Sequence, residues 1–259
     1  MKKTRFQPDV HGFAFANSWS FEPSELNQMN DTLHNSVGGA VGSLSSSLAS
    51  LGKTLIEPVM NNFVGAAEPI HYGLCGGMAF AALDYYKLGK QVPRGKDEQD
   101  QPQREDASGK ALRDYLWRRQ LESMGTNFPG LLSWMTMLHM GFMTGGGGWL
   151  LERTIEEWVT LKQHIDQDEP WPICLIGNTQ NPFYNHQVLA YGYDDPGDGT
   201  GVLYLYDMNC PNREHKTLLD FRGGELAAEE SCPDTRRGPL KGFFCEHYTN
   251  TQPPELVDF

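Results

Sequence analysis

Three side chains in the 259-residue sequence combine types and settings suited to nucleophilic catalysis: Cys75, His186 and Asp207. Cys75 stands where the segment Glu68 to Leu74 gives way to the apolar run CGGMAFAALDYYKL, which predicts a buried helix ending at Gly89. Unpaired N–H groups and the positive end of a helix dipole favour a thiolate at such a position. Gly76 and Gly77 follow, although glycine in a helix costs roughly 1 kcal/mol relative to alanine. They are expected to leave room, either for a substrate backbone beside the sulfur or for close helix packing around an inert cysteine.

His186 opens the run HQVLAYGYDD, and the turn-rich stretch Asp194 to Gly201 separates it from VLYLYDMN, a hairpin signal. If Tyr193 faces Val202, His186 lies opposite Asn209 and diagonal to Asp207, and strand alternation puts all three on one face. A slip of one residue sets His186 against Met208 and scatters the group. A histidine oriented by a carboxylate or amide can accept a thiol proton, so the chain order Cys, His, Asp/Asn describes a nucleophile, a base and an orienting group.

The segments YGLCGGMAFAALDYY, NHQVLAYGYD and LYLYDMNCP, with GFAFANSW near the start and GFFCEHY near the end, resemble an uncharacterised bacterial family. That family has a papain-like cysteine-peptidase fold and is similar in pattern to bacteriocin-processing peptidases. The resemblance implies Cys75 as nucleophile, His186 as general base and Asp207 as orienting residue, with Asn209 the competing third member. One departure stands out. Papain-like peptidases carry an oxyanion-donating glutamine six residues before the cysteine, and position 69 here is proline. Asn17 and His71 are candidate donors, Asn17 reading equally as a turn or capping residue. The expected activity is thiol-dependent hydrolysis of an amide, peptide or isopeptide bond in a protein or peptide substrate, without a cofactor. Acyl transfer, deamidation, an inactive binding scaffold and, by fold analogy, a toxin-like effector are its rivals.

Around these residues the chain divides by character. Residues 1–67 read as a loosely packed arm, in which Val41, Leu44, Leu48 and Leu51 are spaced for a short amphipathic helix. Residues 68–169 read as helical. They hold an exposed, mobile loop at 91–110, helices from Leu112 to Met124 and from Pro129 to Met140, and a glycine hinge at Gly145 to Gly148. A Thr154–Glu157 capping box then opens a helix running to about Asp166. Residues 170–259 carry strand-like runs: Trp171 to Ile176, His186 to Tyr193, Val202 to Met208, Lys216 to Phe221 and Leu240 to Tyr248. Helices followed by strands predict a single α+β domain, the active-site helix packed on an antiparallel sheet.

Composition narrows the partners. A net charge of −12 with no basic run opposes nucleic-acid binding. No window approaches a membrane-spanning length of apolar residues, and the basic start Met1 to Arg5 lacks an apolar stretch behind it. Five cysteines without a CxxC pair speak against a disulfide framework and a four-ligand zinc site. A cytoplasmic protein is the expectation, or one exported without a cleaved signal. Cys174 reads as core, and Cys210, Cys232 and Cys245, with His215 and His247 nearby, lack compact ligand spacing. The acidic turn Asp194, Asp195, Asp198 reads as a solvated hairpin tip rather than a calcium loop. Trp134, Trp149, Trp158 and Trp171 read mainly as core, with a substrate groove as the alternative role.

Overall fold

Along the C-terminal strands successive apolar side chains part cleanly to opposite faces. Ile173, Leu175, Val188 and Ala190 enter one buried cluster, while Leu189 and Tyr191 enter another. A sheet apolar on both faces has to be covered on both, and the helices do this. The computed structural model describes residues 1–41, 71–144 and 148–256. Its helices are α1 (Pro8–His11), α2 (Pro23–Val41), α3 (Cys75–Lys87), α4 (Ala107–Thr144) and α5 (Gly148–Asp166). Its strands are β1 (Lys2–Lys3), β2 (Trp19–Ser20), β3 (His71–Tyr72), β4 (Trp171–Gly177), β5 (His186–Asp194), β6 (Thr200–Tyr206), β7 (His215–Asp220), β8 (Ala227–Glu230) and β9 (Leu240–Cys245).

The architecture is α+β. Strands run β8-β7-β6-β5-β4-β9 in one antiparallel sheet, with β1 added beside β5, and β2 pairs with β3 separately. One face packs against α3 and α4, with α2 packed on α4; Leu74, Met78, Leu116 and Tyr206 lie in that core. The other face is covered by α5 through Trp158, Leu161 and Ile165. Helix α3 is buried from Gly76 to Tyr85 and ends with Gly89 at φ 62°, the left-handed conformation that a helix C′ glycine supplies. Its Asp84 is fully buried against Arg119 and accepts from the hydroxyls of Tyr115 (2.6 Å) and Tyr248 (2.7 Å), tying α3 to α4 and the C-terminal tail.

Several expectations need correction. Residues 1–41 are not a loose arm: Phe6, Phe13, Phe15, Trp19, Phe21, Met29 and Leu33 are core residues. Nor is 91–110 a free loop, because it is laced to that N-terminal segment. Ala14 N–H donates to Arg94 O (2.8 Å), Gln101 Nε2 donates to Ala16 O (2.6 Å), and Arg104 pairs with Glu25 (2.8 Å). Polar composition concealed these bonds, since their partners, backbone or side chain, lie far away in the sequence. The two expected helices are one 38-residue helix containing Pro129. Proline costs about 3 kcal/mol inside a helix, and burial of Phe128, Leu132, Trp134 and Met135 on the same helix offsets it. Thr154 lies inside α5, where its hydroxyl donates to Leu150 O (2.8 Å) rather than capping. Strand β8 went unanticipated because AAEE carries little β propensity. The Val41 to Leu51 helix and most of the glycine run fall outside the described residues; Val41 closes α2 and Gly148 opens α5.

The hairpin register departs from the expectation at its tip and agrees with it near the site. Asp194, not Tyr193, faces Val202, but Tyr191 is an extra residue on β5, so Ala190 faces Leu205 and Leu189 faces Tyr206. Continued toward the strand's start, that register sets His186 opposite Asn209 and diagonal to Asp207.

Candidate active site

Cys75 is the first residue of α3, His186 the first of β5, and Asp207 follows the last residue of β6. The fold brings them together. His186 Nε2 lies 2.7 Å from Asp207 Oδ1, and both side chains are buried. Asp207 Oδ1 also accepts the backbone N–H of Asn209 (2.9 Å). An ionised carboxylate only accepts, so Nε2 carries the proton and Nδ1 is the nitrogen left for a thiol. Burial disfavours a charged imidazole. The charge and hydrogen bond of Asp207 outweigh it, with the adjoining Cys75 adding to both effects, and His186 is raised to about 10. Burial likewise pushes the Asp207 carboxyl up, but His186 and the Asn209 N–H hold it below its ordinary value.

Asn209 does not compete for the imidazole. Its Oδ1 accepts from Asn17 Nδ2 (2.9 Å). Asn17 Oδ1 accepts both the Leu74 N–H (2.6 Å) and Trp19 Nε1 (3.1 Å), two groups that can only donate, and this fixes the amide's orientation. Asn17 thereby clamps the chain just before Cys75. Its Nδ2 lies 2.4 Å from where a Cβ on Gly73 would sit, so only glycine fits there. His71 sits in β3, paired with Ser20; its side chain lies outside the described residues.

The glycines after Cys75 serve packing. A Cβ at Gly77 would lie 2.2 Å from Leu116 O of α4, and one at Gly76 would lie 2.1 Å from Gln187 Oε1 and 2.7 Å from Ser123 Oγ. Of the two roles expected for this pair, close approach of protein groups is the one observed.

Cys75 opens onto a cavity of about 110 Å³. Trp117, Phe128, Leu131 and Phe244 form apolar wall, while Gln120, Ser123, Asn127, Gln187 and Glu246 add polar groups. Among the expected tryptophans, Trp134 and Trp158 are buried in core clusters; Trp117, unremarked in the sequence, is the one at the cavity. The Cys75 thiol is 3.8 Å from Gln187 Oε1, and Gln187 Nε2 donates to Ser123 Oγ (2.5 Å) and to Glu246 Oε1. Gln120 Oε1 accepts the Gly77 N–H (2.9 Å), satisfying a first-turn donor of α3. Gln187, Ser123, Gln120 and Glu246 escaped sequence reasoning. The single signal was adjacency of Gln187 to His186, and alternation assigns neighbouring strand residues to opposite faces.

A Cys210–Cys232 disulfide is present, with Cα atoms 6.4 Å apart, contrary to the expectation of unpaired thiols. The odd total misled because one bridge plus Cys75, Cys174 and Cys245 also makes five. With it goes the argument from the cysteine count against a disulfide. Cys210, His215 and Cys232 place ligand-type atoms within 4.8 Å of one another, a compactness their spacing did not reveal, but here the two sulfurs are bonded to each other. Cys174 is buried in the core as expected. The hairpin tip is exposed, with Asp195 paired to Lys162 (2.5 Å). Among the described residues, no helix is long and apolar enough to cross a membrane.

Compared with known proteins, the chain matches no family model, no curated protein sequence and no solved structure.

Proposed function

We propose that this chain is a papain-like thiol hydrolase acting on an amide, peptide or isopeptide bond of a protein or peptide. The observation that carries the reading is the buried His186–Asp207 pair at 2.7 Å beside a cysteine on the first turn of a buried helix. With its proton already held on His186 Nδ1, Cys75 Sγ attacks the carbonyl carbon, and a tetrahedral oxyanion forms. Collapse breaks the C–N bond, the imidazolium protonates the departing amine, and water then hydrolyses the thioester with His186 as base. Asp207 keeps the proton on Nε2 and stabilises the imidazolium.

The oxyanion needs donors, and Pro69 cannot be one. The backbone N–H of Cys75 supplies the first and Asn17 Nδ2 the second: Nδ2 lies against Gly73, and only one of its two hydrogens is directed at Asn209. No step requires a cofactor.

A binding scaffold without turnover is the second reading, favoured by the missing glutamine at position 69. Incubation with a mixed peptide library, read by mass spectrometry, tests both. Hydrolysis gives new carboxyl termini with the wild type and none with Cys75→Ala, whereas acyl transfer gives products carrying an added amine. Identical spectra for the two proteins contradict the enzyme reading.

A further inference from the structure

Glu246 is 2% exposed and lines the cavity beside Cys75. Its Oε1 accepts from Gln187, while its Oε2 has no hydrogen-bond partner among the described residues. A buried carboxyl oxygen left unpaired is costly, and an incoming cation that completes it also favours its ionised form. The other charged groups of the cavity are already matched. His186 is paired with Asp207, and Arg236 lies 3.4 Å from Asp234 at the exposed rim. Among the described residues, Glu246 is therefore the acidic group of the cavity left to recognise a ligand.

We propose that this cavity is a subsite for an alkylammonium group, a lysine-like side chain or primary amine, whose nitrogen pairs with Glu246 Oε2. One oxygen is free, which suits a point-charge ammonium rather than the two-pronged fork of a guanidinium. Phe128, Leu131 and Phe244 offer apolar wall to a methylene stem, and Ser123 Oγ, which shares the Gln187 amide with Glu246, adds a polar partner. As a specificity subsite of a hydrolase the inference rests on the function proposed above; as a cation site it does not.

Two measurements separate the claims. In the first, alkylation of Cys75 by lysyl chloromethyl ketone is compared with norleucyl chloromethyl ketone, which has a similar stem without the ammonium. The wild type is expected to prefer the lysyl reagent by about tenfold or more, and Glu246→Gln to bring the ratio close to one. Equal rates in the wild type, or a preference that survives Glu246→Gln, overturn the subsite. In the second, calorimetric titration at pH 9, where Glu246 is ionised and the amine still protonated, uses n-pentylammonium and 1-pentanol and needs no reactive cysteine. The ammonium is expected to bind the wild type at least about tenfold more tightly than the alcohol, a difference lost in Glu246→Gln. No such difference in the wild type overturns the cation site. Discrimination in the titration with no labelling of Cys75 by either ketone sustains the cation site and sinks the hydrolase.

Discussion

Asp207 and Asn209, two residues apart, divide their work: Asp207 Oδ1 holds His186 Nε2 at 2.7 Å, while Asn209 turns its amide oxygen to Asn17. The imidazole is thus fixed by a buried carboxylate, and the chain leading into Cys75 is fixed by an amide pair. An NMR titration of the His186 ring checks the first half. The imidazole is expected to stay protonated well above its usual 6.5, toward about 10, and to titrate lower in Asp207→Asn. The sign for stability follows. A histidine raised in the folded state contributes fully below 6.5 and loses that contribution as the pH rises through about 10. The denaturation midpoint of the wild type should fall across that window more than that of Asp207→Asn.

Glu246 makes the opposite kind of contribution. Burial raises its carboxyl from 4.5 to about 8, partly opposed by the Gln187 hydrogen bond. The folded state therefore binds a proton that the unfolded state has released, and stability declines as the pH rises from 4.5 to about 8. Glu246→Gln should flatten this decline and be the more stable protein at pH 8. Parallel urea denaturations of both proteins across the range read it directly.

Asn17→Asp tests the proposed second oxyanion donor with little change of shape. It keeps the oxygen that accepts from Leu74 N–H and Trp19 Nε1 and removes the Nδ2 donor. With any substrate found, kcat should fall on the order of 10²–10³-fold while the protein remains folded. An unchanged kcat assigns Asn17 to clamping alone.

The disulfide adjoins the turn that follows Asp207, where Cys210 N–H donates to Asp207 O (3.2 Å). The bridge spans 22 residues, and closing a loop of that length contributes about 3 kcal/mol. Cys210→Ala/Cys232→Ala should lose about that much stability in urea denaturation. Dithiothreitol should have the same effect on the wild type and none on the double variant.

Much of the site could be read in the sequence because its residues sit at element boundaries. Glycine at position 89 stops α3, the turn-rich stretch after Asp194 marks the hairpin, and Cys75 and His186 fall at the first positions of their elements. The tip register could not be read so. The bulge at Tyr191 leaves no mark in an alternating pattern, and it compensates for the one-residue offset at Val202. Packing of the N-terminal segment was equally hidden, since Phe13 and Phe15 lie in neither helix nor strand and are buried, with Trp19, by contacts with distant parts of the chain. Glu246 was illegible for a related reason: it lies just past β9, and nothing local signals that its carboxyl closes a cavity formed with α4 and β5.

In the proposed reaction His186 and Cys75 act as a pair. Alkylation by iodoacetamide, followed cysteine by cysteine with mass spectrometry at neutral pH, tests it most directly. In the wild type Cys75 is predicted to react faster than Cys174, which is buried, and Cys245, whose thiol burial pushes up. In His186→Ala that advantage should disappear. A Cys75 that reacts no faster than an ordinary thiol, or equally fast in both proteins, contradicts the account.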